Sequence, residues 1–236
     1  MDRPYIICHM MISLDGKVTG EFLQDPACRQ ATEVYYQRNR CYKADAYACG
    51  RITMEGSFTQ GWYPDLTTFA PAQGFRWKMD YIPDDMDGLC AVAFDPHGRL
   101  GWQSNRVQDP DSDPGYDKAR IIEVVTEQVD PRYLGYLESK NICYLFAGEQ
   151  QIDLELALMK LRRYFGIQTL LLEGGSILNG AFQRAGLVDE LSLVVAPVVG
   201  DAEGKPLFLD SRMEEYHLLQ VQNEGGAVWM NYKKNH

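Results

Sequence analysis

The chain has 236 residues, of which 45% are hydrophobic and 24% are charged. This composition is ordinary for a folded globular protein and excludes disordered, collagen-like and coiled-coil classes. Thirty-three acidic residues against 23 lysines and arginines give a net charge of −10, so the sequence predicts no nucleic-acid partner. Because no apolar run has the length of a membrane span and no signal-peptide cleavage pattern follows the N terminus, we expect a cytoplasmic protein without a membrane partner.

The spacing of cysteines and histidines does not support a metal site. The six cysteines include no C-x-x-C pair, and the four histidines form neither H-E-x-x-H nor H-x-E with P-C-x-x-C. We therefore predict no bound metal and expect most cysteines to be small buried apolar residues.

The first half of the chain predicts the beginning of an α/β fold. The continuous apolar run Tyr5–Ile12 predicts a strand that is buried on both faces, and helical spacing follows over residues 28–42. Further strands are predicted at residues 44–49, 89–94 and 121–125. Residues 56–120 contain long stretches rich in proline, glycine and aromatic residues, which we interpret as an ordered excursion rather than a linker.

After residue 126, predicted strands and helices alternate regularly. Helices are predicted at residues 131–139, 154–165 and 176–185, and strands at 142–147, 169–172 and 190–195. Asp153 is placed to cap the second of these helices and Gly166 to end it. Segments 217–222 and 227–232 flank a glycine-containing turn and predict a hairpin. The pattern predicts one domain over residues 1–236, with a mostly parallel central sheet and a C-terminal antiparallel hairpin.

Ligands of open α/β sheets bind beyond the carboxyl ends of the strands, which here are followed by loops at residues 13–17, 50–55, 126 and 173–176. In the last loop, two glycines allow the backbone to approach a ligand closely, and the helix that follows suits a phosphate at its N terminus. The same loop also fits a tight turn with Ser176 as helix N-cap. Neither G-x-G-x-x-G nor G-x-x-x-x-G-K-[ST] is present, so we do not expect an ordinary Rossmann or P-loop enzyme.

Three segments carry a family pattern: YIICHMMISLDGK at residues 5–17, GRIT at 50–53 and LLLEGGSILNGAFQRAGLVDELSLVVAPVVG at 170–200. They resemble the reductase domain of riboflavin biosynthesis, which is the C-terminal family of the bacterial bifunctional deaminase-reductases. The resemblance runs in order along most of the chain and is weak across residues 56–120. It implies the stand-alone form, a dihydrofolate-reductase-like three-layer fold, NADPH as cofactor and a homodimer.

The resemblance implies that NADPH lies across the strand ends. Gly50, Arg51 and Thr53 are placed near its phosphates, with Arg51 as partner of the 2′-phosphate, and Thr126 is placed near the adenosine side. The remaining implied cofactor-binding residues are Ile12, Gly174, Gly175, Ser176, Ile177 and Leu178. Without the family match, Arg51 also fits a solvated or salt-bridged surface residue, and Thr53 fits a helix N-cap.

The resemblance also implies two carboxylates at the substrate. Asp15 lies on a loop that meets the substrate, and Glu173 precedes the glycine pair; we predict both as catalytic and substrate-binding, with His9 as a further substrate contact. Because a nicotinamide carries the hydride, such a site needs groups that orient rings and handle protons. Asp15 also fits a turn residue, Glu173 a helix-capping carboxylate and His9 a hydrogen-bonded core histidine.

Three positions depart from the fused bacterial reductases. His9 replaces a lysine, Cys41 replaces an arginine for the substrate phosphate, and Ser57 replaces an aspartate. Arg38 or Arg40 is a possible replacement for the phosphate contact. For the homodimer, the apolar segment 191–199 is a candidate for an intersubunit sheet contact.

We therefore predict an NADPH-dependent reductase of a small heterocycle, with a riboflavin precursor of the 5-amino-6-(5-phosphoribosylamino)uracil type as substrate. One alternative is a reductase of the same fold acting on an unrelated pteridine, enone or imine. Another is a non-catalytic nucleotide-binding homologue.

Overall fold

The computed structural model describes residues 2–235, and the chain divides into two compact units. Unit 1 contains Asp45–Gln168 together with the N-terminal residues up to Pro4. Unit 2 contains Tyr5–Ala44 and the C-terminal part from Thr169. The chain therefore leaves unit 2 after Ala44 and re-enters it at Thr169. The single-domain organisation of residues 1–236 stays a prediction.

The described residues form strands and helices in regular alternation. The strands are β1 (Tyr5–Ile12), β2 (Ala46–Gly50), β3 (Cys90–Phe94), β4 (Arg120–Val125), β5 (Cys143–Phe146), β6 (Thr169–Leu172), β7 (Glu190–Val195), β8 (Tyr216–Glu224) and β9 (Ala227–Lys234). The α-helices are α1 (Arg29–Tyr42), α2 (Arg51–Met54), α3 (Pro131–Ser139), α4 (Leu154–Phe165) and α5 (Ser176–Arg184).

Unit 1 is built on four parallel strands in the order β5-β4-β3-β2. Every residue of β3, β4 and β5 is buried, as expected for parallel strands covered on both faces. The excursion packs on α3: the Tyr63 ring stacks on Tyr133, and the Phe69 ring contacts Tyr136 edge-on. Residues 56–120 are therefore ordered against their own unit, as predicted.

Unit 2 contains a mixed sheet in the order β6-β1-β7-β9-β8. Strands β6, β1 and β7 are parallel, whereas β9 runs antiparallel to β7, and β8 runs antiparallel to β9. Helix α1 packs on this sheet through an apolar cluster that includes Val34, Val194 and Trp229. The two units together confirm the predicted α/β class with mostly parallel strands and a C-terminal antiparallel hairpin.

Local sequence signals predicted the ends of several strands and helices correctly. Strand β1 and helices α3 and α4 begin and end where the sequence predicts. The Asp153 side chain caps α4 by accepting a hydrogen bond from the Leu156 N–H, and Gly166 ends it in the left-handed conformation at φ +68°. Five of the six cysteines are buried, as expected, and Cys41 is exposed.

Two capping interpretations are wrong. Gly175, not Ser176, is the N-cap of α5, and the Ser176 hydroxyl donates instead to the Pro206 carbonyl. Thr53 lies inside α2, whose N-cap is Gly50. In both places the helix begins directly after a glycine that serves as its N-cap.

The proposed role of segment 191–199 in an intersubunit sheet is also wrong for its strand part. Strand β7 pairs with β1 on one side and with β9 on the other. Both of its edges are hydrogen-bonded within the chain, so it has no edge to offer a second subunit.

Among the described residues, no helix is long and apolar enough to cross a membrane. Over residues 2–235, no group of three or more His, Cys, Asp and Glu side chains could hold a metal ion.

Candidate active site

The loop after β6 places a buried carboxyl group beside a glycine turn. Glu173 directly follows β6 and is only 5% exposed. Gly174 has φ +100°, and a Cβ at this position would lie 3.3 Å from the Met10 side chain of β1. The backbone conformation at Gly174 thus favours glycine, because a φ of +100° is strained for other residues. The Gly174–Gly175 peptide is cis.

Asn39 is a neighbour of this carboxyl group that the sequence analysis missed. Its side-chain Nδ2–H donates a 2.8 Å hydrogen bond to Glu173 Oε1, and Asn39 is itself only 5% exposed. The signal was available, because Ala31, Tyr35 and Asn39 follow one another at i, i+4 and i+8 on the face of α1 that packs on the sheet. A polar residue in that apolar series requires a partner inside the protein.

The N terminus of α5 is open to a ligand. The helix has nine residues, and its N-cap, Gly175, provides no side-chain hydrogen bond. First-turn N–H groups of a helix lack intrahelical partners and lie at the positive end of the helix dipole, which favours an anion such as a phosphate. Ile177 on the same turn is 68% exposed, so this end of the helix presents backbone donors beside an apolar side chain.

Asp15 is held in a turn after β1. Its Oδ1 accepts hydrogen bonds from Ser13 Oγ at 2.6 Å and from the Gly200 N–H at 2.7 Å. The Ser13 hydrogen bond, followed by that from Gly200, holds the pKa of the exposed Asp15 carboxyl below its ordinary value. Asp15 is therefore an anion at neutral pH, suited to accepting hydrogen bonds and unsuited to donating a proton. Ile12, the last residue of β1, is buried.

His9 lies in the core of unit 2, and both ring nitrogens have partners. Nε2 lies 3.0 Å from the Tyr35 carbonyl, which can only accept, so Nε2 carries the hydrogen; Nδ1 then accepts from Ser192 Oγ at 2.9 Å. Burial lowers the pKa of His9 to about 4, and the ring is neutral at physiological pH. The arrangement favours the core interpretation of His9, and its substrate contact stays a prediction.

The cofactor residues predicted in unit 1 also lie at strand ends. Gly50 ends β2 and caps α2 without a side-chain hydrogen bond. Arg51 Nη1 pairs with Glu55 Oε2 at 2.8 Å and is partly exposed, as is Thr53. Thr126 follows β4, is buried, and donates from Oγ1 to the Pro96 carbonyl at 2.7 Å. The Thr126 hydroxyl thus donates its hydrogen bond within unit 1.

Arg38, one candidate for the missing phosphate contact, is engaged within unit 2. Its guanidinium lies 3.9 Å above the Trp229 ring and binds the side chains of Glu224 and Gln222. These contacts tie α1 to the β8–β9 hairpin, so Arg38 has a packing role within unit 2.

Comparison with known proteins gives relatives over most of the chain. The family model described as the RibD C-terminal domain matches residues 104–228. A curated 2,5-diamino-6-ribosylamino-4(3H)-pyrimidinone 5′-phosphate reductase from Methanothermobacter thermautotrophicus is 37% identical, and the match covers 87% of this chain and 83% of the relative. The enzyme of the same name from Aquifex aeolicus is 30% identical over 87% of this chain and 82% of the relative.

Solved structures show a similar fold at low identity. Acinetobacter baumannii RibD superimposes with a TM-score of 0.67 at 19% identity over 100% of this chain, which spans 59% of that longer chain. A pyrimidine reductase-like protein from Corynebacterium diphtheriae gives 0.69 at 16% identity, covering 99% of this chain and 92% of that one. These structures support the fold alone. From the family model and the two curated relatives, the resemblance predicted from the sequence is confirmed: the chain belongs to the RibD C-terminal domain family.

Proposed function

We propose that this chain is an NADPH-dependent reductase of a phosphorylated ribosylaminopyrimidine in riboflavin biosynthesis. The observation that carries the proposal is the 37% identity, over 87% of the chain, to a curated relative named as a reductase of such a compound. The reductase reading predicted from the sequence agrees with the names of both curated relatives.

The chemistry requires one hydride and one proton. Reduction of the ring-opened ribosylamino group converts its C=N bond to a C–N single bond, with hydride added to carbon and a proton added to nitrogen. Bound NADPH supplies the hydride. The chain must therefore hold the substrate, exclude water and deliver or relay the proton.

We assign the substrate side to Glu173 and Asp15. Glu173 is buried and oriented by Asn39, so it can be held in one geometry against a substrate group. Asp15 is a carboxylate at neutral pH and can accept hydrogen bonds from the amino groups of a pyrimidine. Of the two carboxyl groups, Glu173 is the one that we assign to proton handling.

Each unit contains a group that fits a phosphate of the cofactor. In unit 2, the uncapped N terminus of α5 presents backbone N–H groups. In unit 1, Arg51 presents a partly exposed guanidinium that pairs with the partly exposed Glu55 carboxylate, and a 2′-phosphate can replace that partner. Arg51 is thus the group that we assign to distinguishing NADPH from NADH.

Binding titrations test the cofactor. We expect quenching of tryptophan fluorescence to show tighter binding of NADPH than of NADH, and Arg51→Ala to weaken NADPH binding roughly 10- to 100-fold while leaving NADH unchanged. Arg163→Ala, which removes an exposed arginine from the last turn of α4, is the matched control and should change neither affinity. Equal affinity of the wild type for both cofactors would contradict the assignment of Arg51.

Turnover assays test the substrate. Purified protein should oxidise NADPH in the presence of the phosphorylated ribosylaminopyrimidine, either the diaminopyrimidinone or the aminouracil form, and the product mass should rise by two hydrogen atoms. Binding of NADPH without its oxidation in the presence of either compound would reject the proposal and leave a reductase of an unrelated substrate or a non-catalytic homologue.

A reductase of the same fold with an unrelated substrate is the second candidate. It is favoured by one observation: Arg38, a candidate for the missing phosphate contact, is engaged by Glu224, Gln222 and Trp229. A substrate panel separates the two candidates, because only the second predicts NADPH oxidation with a pteridine, enone or imine and none with the phosphorylated ribosylaminopyrimidine.

We further propose a homodimer and a cytoplasmic location, both on the basis of the family resemblance. Sedimentation equilibrium of the purified protein tests the dimer, for which a monomer mass at micromolar concentration is the contrary result.

A further inference from the structure

Asn39 is an exception on its helix. The buried residues of α1 are Ala31, Val34 and Asn39, of which only Asn39 is polar. An amide removed from water without a hydrogen bond costs roughly 1–3 kcal/mol. The Asn39 amide meets this requirement by donating to Glu173 Oε1, the carboxyl group at the end of β6.

We infer that Asn39 is a positioning residue that fixes the orientation of the Glu173 carboxyl group, an inference that rests on the proposed reductase function. The terminal torsion of a glutamate is broad, so a carboxyl group at a strand end rotates unless a partner holds it. The 2.8 Å hydrogen bond from Asn39 Nδ2 provides that partner. Because the amide is neutral, it orients the carboxyl group without the strong stabilisation of the anion that a lysine or arginine would bring.

The main chain on either side of this contact is also fixed. Leu172, the residue before Glu173, pairs with Cys8 of β1. The following Gly174 packs against the Met10 side chain. The backbone of Glu173 is therefore held by β1, which leaves the side-chain torsions as its remaining freedom, and α1 restricts them through Asn39.

His9 supports the same arrangement from the sheet side. Its ring stacks on Tyr35 at 4.4 Å between centroids, and its Nε2–H donates to the Tyr35 carbonyl. Tyr35 lies one turn before Asn39 on α1, so these contacts fix the position of the helix that presents Asn39. The buried His9 thereby acts on the site through α1.

Two substitutions of Asn39 test this inference. Asn39→Asp keeps the shape but places a second carboxyl group beside Glu173, and like charges raise the pKa of one member of such a pair. We expect the alkaline limb of the kcat/KM profile, where the proton donor loses its proton, to move upward by about one pH unit or more. Asn39→Leu removes the donor, and we expect kcat to fall roughly tenfold, equivalent to about 1.4 kcal/mol, while the Kd for NADPH stays unchanged.

Val34→Ala is the matched control, because Val34 is buried on the same helix in the apolar cluster with Trp229. It should lower the midpoint of thermal unfolding and leave kcat and the pH profile unchanged. If Asn39→Leu does not fold, Asn39→Asp decides the question.

The outcomes separate the inference from the function on which it rests. An active wild type whose Asn39 variants retain its kcat and pH profile would overturn the inference and leave the reductase function intact. A folded wild type that oxidises NADPH with none of the substrates would overturn the proposed function, and with it the role of Asn39.

Discussion

Glu123 of unit 1 and Glu173 of unit 2 are both buried glutamates, but their surroundings differ. Glu123 lies within β4, fully buried, and its Oε1 accepts hydrogen bonds from the Trp102 indole N–H and the Tyr133 hydroxyl. Burial, with a contribution from nearby Asp95, raises the pKa of Glu123 well above its ordinary value. Glu173 lies at a strand end beside two glycines, with the amide of Asn39 as a partner.

The difference teaches that burial of an acid does not by itself mark a catalytic group. Glu123 is covered by aromatic side chains, and its Oε1 accepts hydrogen bonds inside unit 1. Glu173 stands where α/β sheets bind their ligands, and the glycine turn after it keeps side chains away. Position at the carboxyl end of a strand, rather than a perturbed pKa, distinguishes the candidate catalytic residue in this chain.

The largest expected effect compares isosteric substitutions of the two acids. Glu173→Gln should lower kcat by roughly 10²- to 10⁴-fold, the range for loss of a general acid or base, with little change in NADPH affinity. Glu123→Gln should keep kcat within about twofold, because the Glu123 carboxyl group is fully buried against the Trp102 and Tyr133 side chains. Steady-state NADPH oxidation measures both, and equal losses in the two variants would break the distinction.

The burial of a third group, His9, should make the stability of the protein depend on pH. The pKa of His9 is about 4 in the fold against an ordinary 6.5. The stability that the neutral His9 contributes is therefore complete above pH 6.5 and is lost as the pH falls through 4. The total loss is about 3 kcal/mol of unfolding free energy. The comparison is urea unfolding of wild type and His9→Gln at pH 7 and pH 4. The wild type should lose more stability than the variant, and parallel losses would show that His9 does not titrate as described.

Glu123 should show the opposite pH dependence of stability. The pKa of Glu123 is raised in the fold above the ordinary 4.5. The stability that the protonated Glu123 contributes is therefore complete below pH 4.5 and is lost as the pH rises through the folded pKa. The decline is about 1.4 kcal/mol per pH unit while the folded state holds a proton that the unfolded chain has released. From pH 5 to pH 8, the urea midpoint should therefore fall further for the wild type than for Glu123→Gln. If the midpoints of the two proteins differ by the same amount at both pH values, the raised pKa of Glu123 is contradicted.

The sequence predicted the fold where local signals agree with tertiary structure. The apolar run of β1 and the apolar face of α4, with Asp153 and Gly166 at its ends, each define an element from neighbouring residues alone. The pairing of β7 with both β1 and β9 was not predicted, because strand order depends on contacts far apart in sequence. For that reason an interior strand was mistaken for a surface that could join two subunits.

At the candidate site, the family pattern located Glu173 and the glycine turn but not their supports. Asn39 lies 134 residues from Glu173 along the chain, and nothing in the local sequence connects them. The same holds for Trp102 and Tyr133 around Glu123, which bring three separate segments together. A motif identifies residues that contact a ligand, whereas the residues that orient them follow from the packing of helices on the sheet.

Hydride transfer from deuterated cofactor tests the central claim most directly. The protein is mixed with NADPH carrying deuterium at the transferable position of nicotinamide C4 and with the phosphorylated ribosylaminopyrimidine. The account predicts a product with one deuterium on the carbon that was double-bonded to nitrogen, formed by the wild type and formed far more slowly by Glu173→Gln. A product without deuterium, or bound NADPH that is never oxidised, would contradict it.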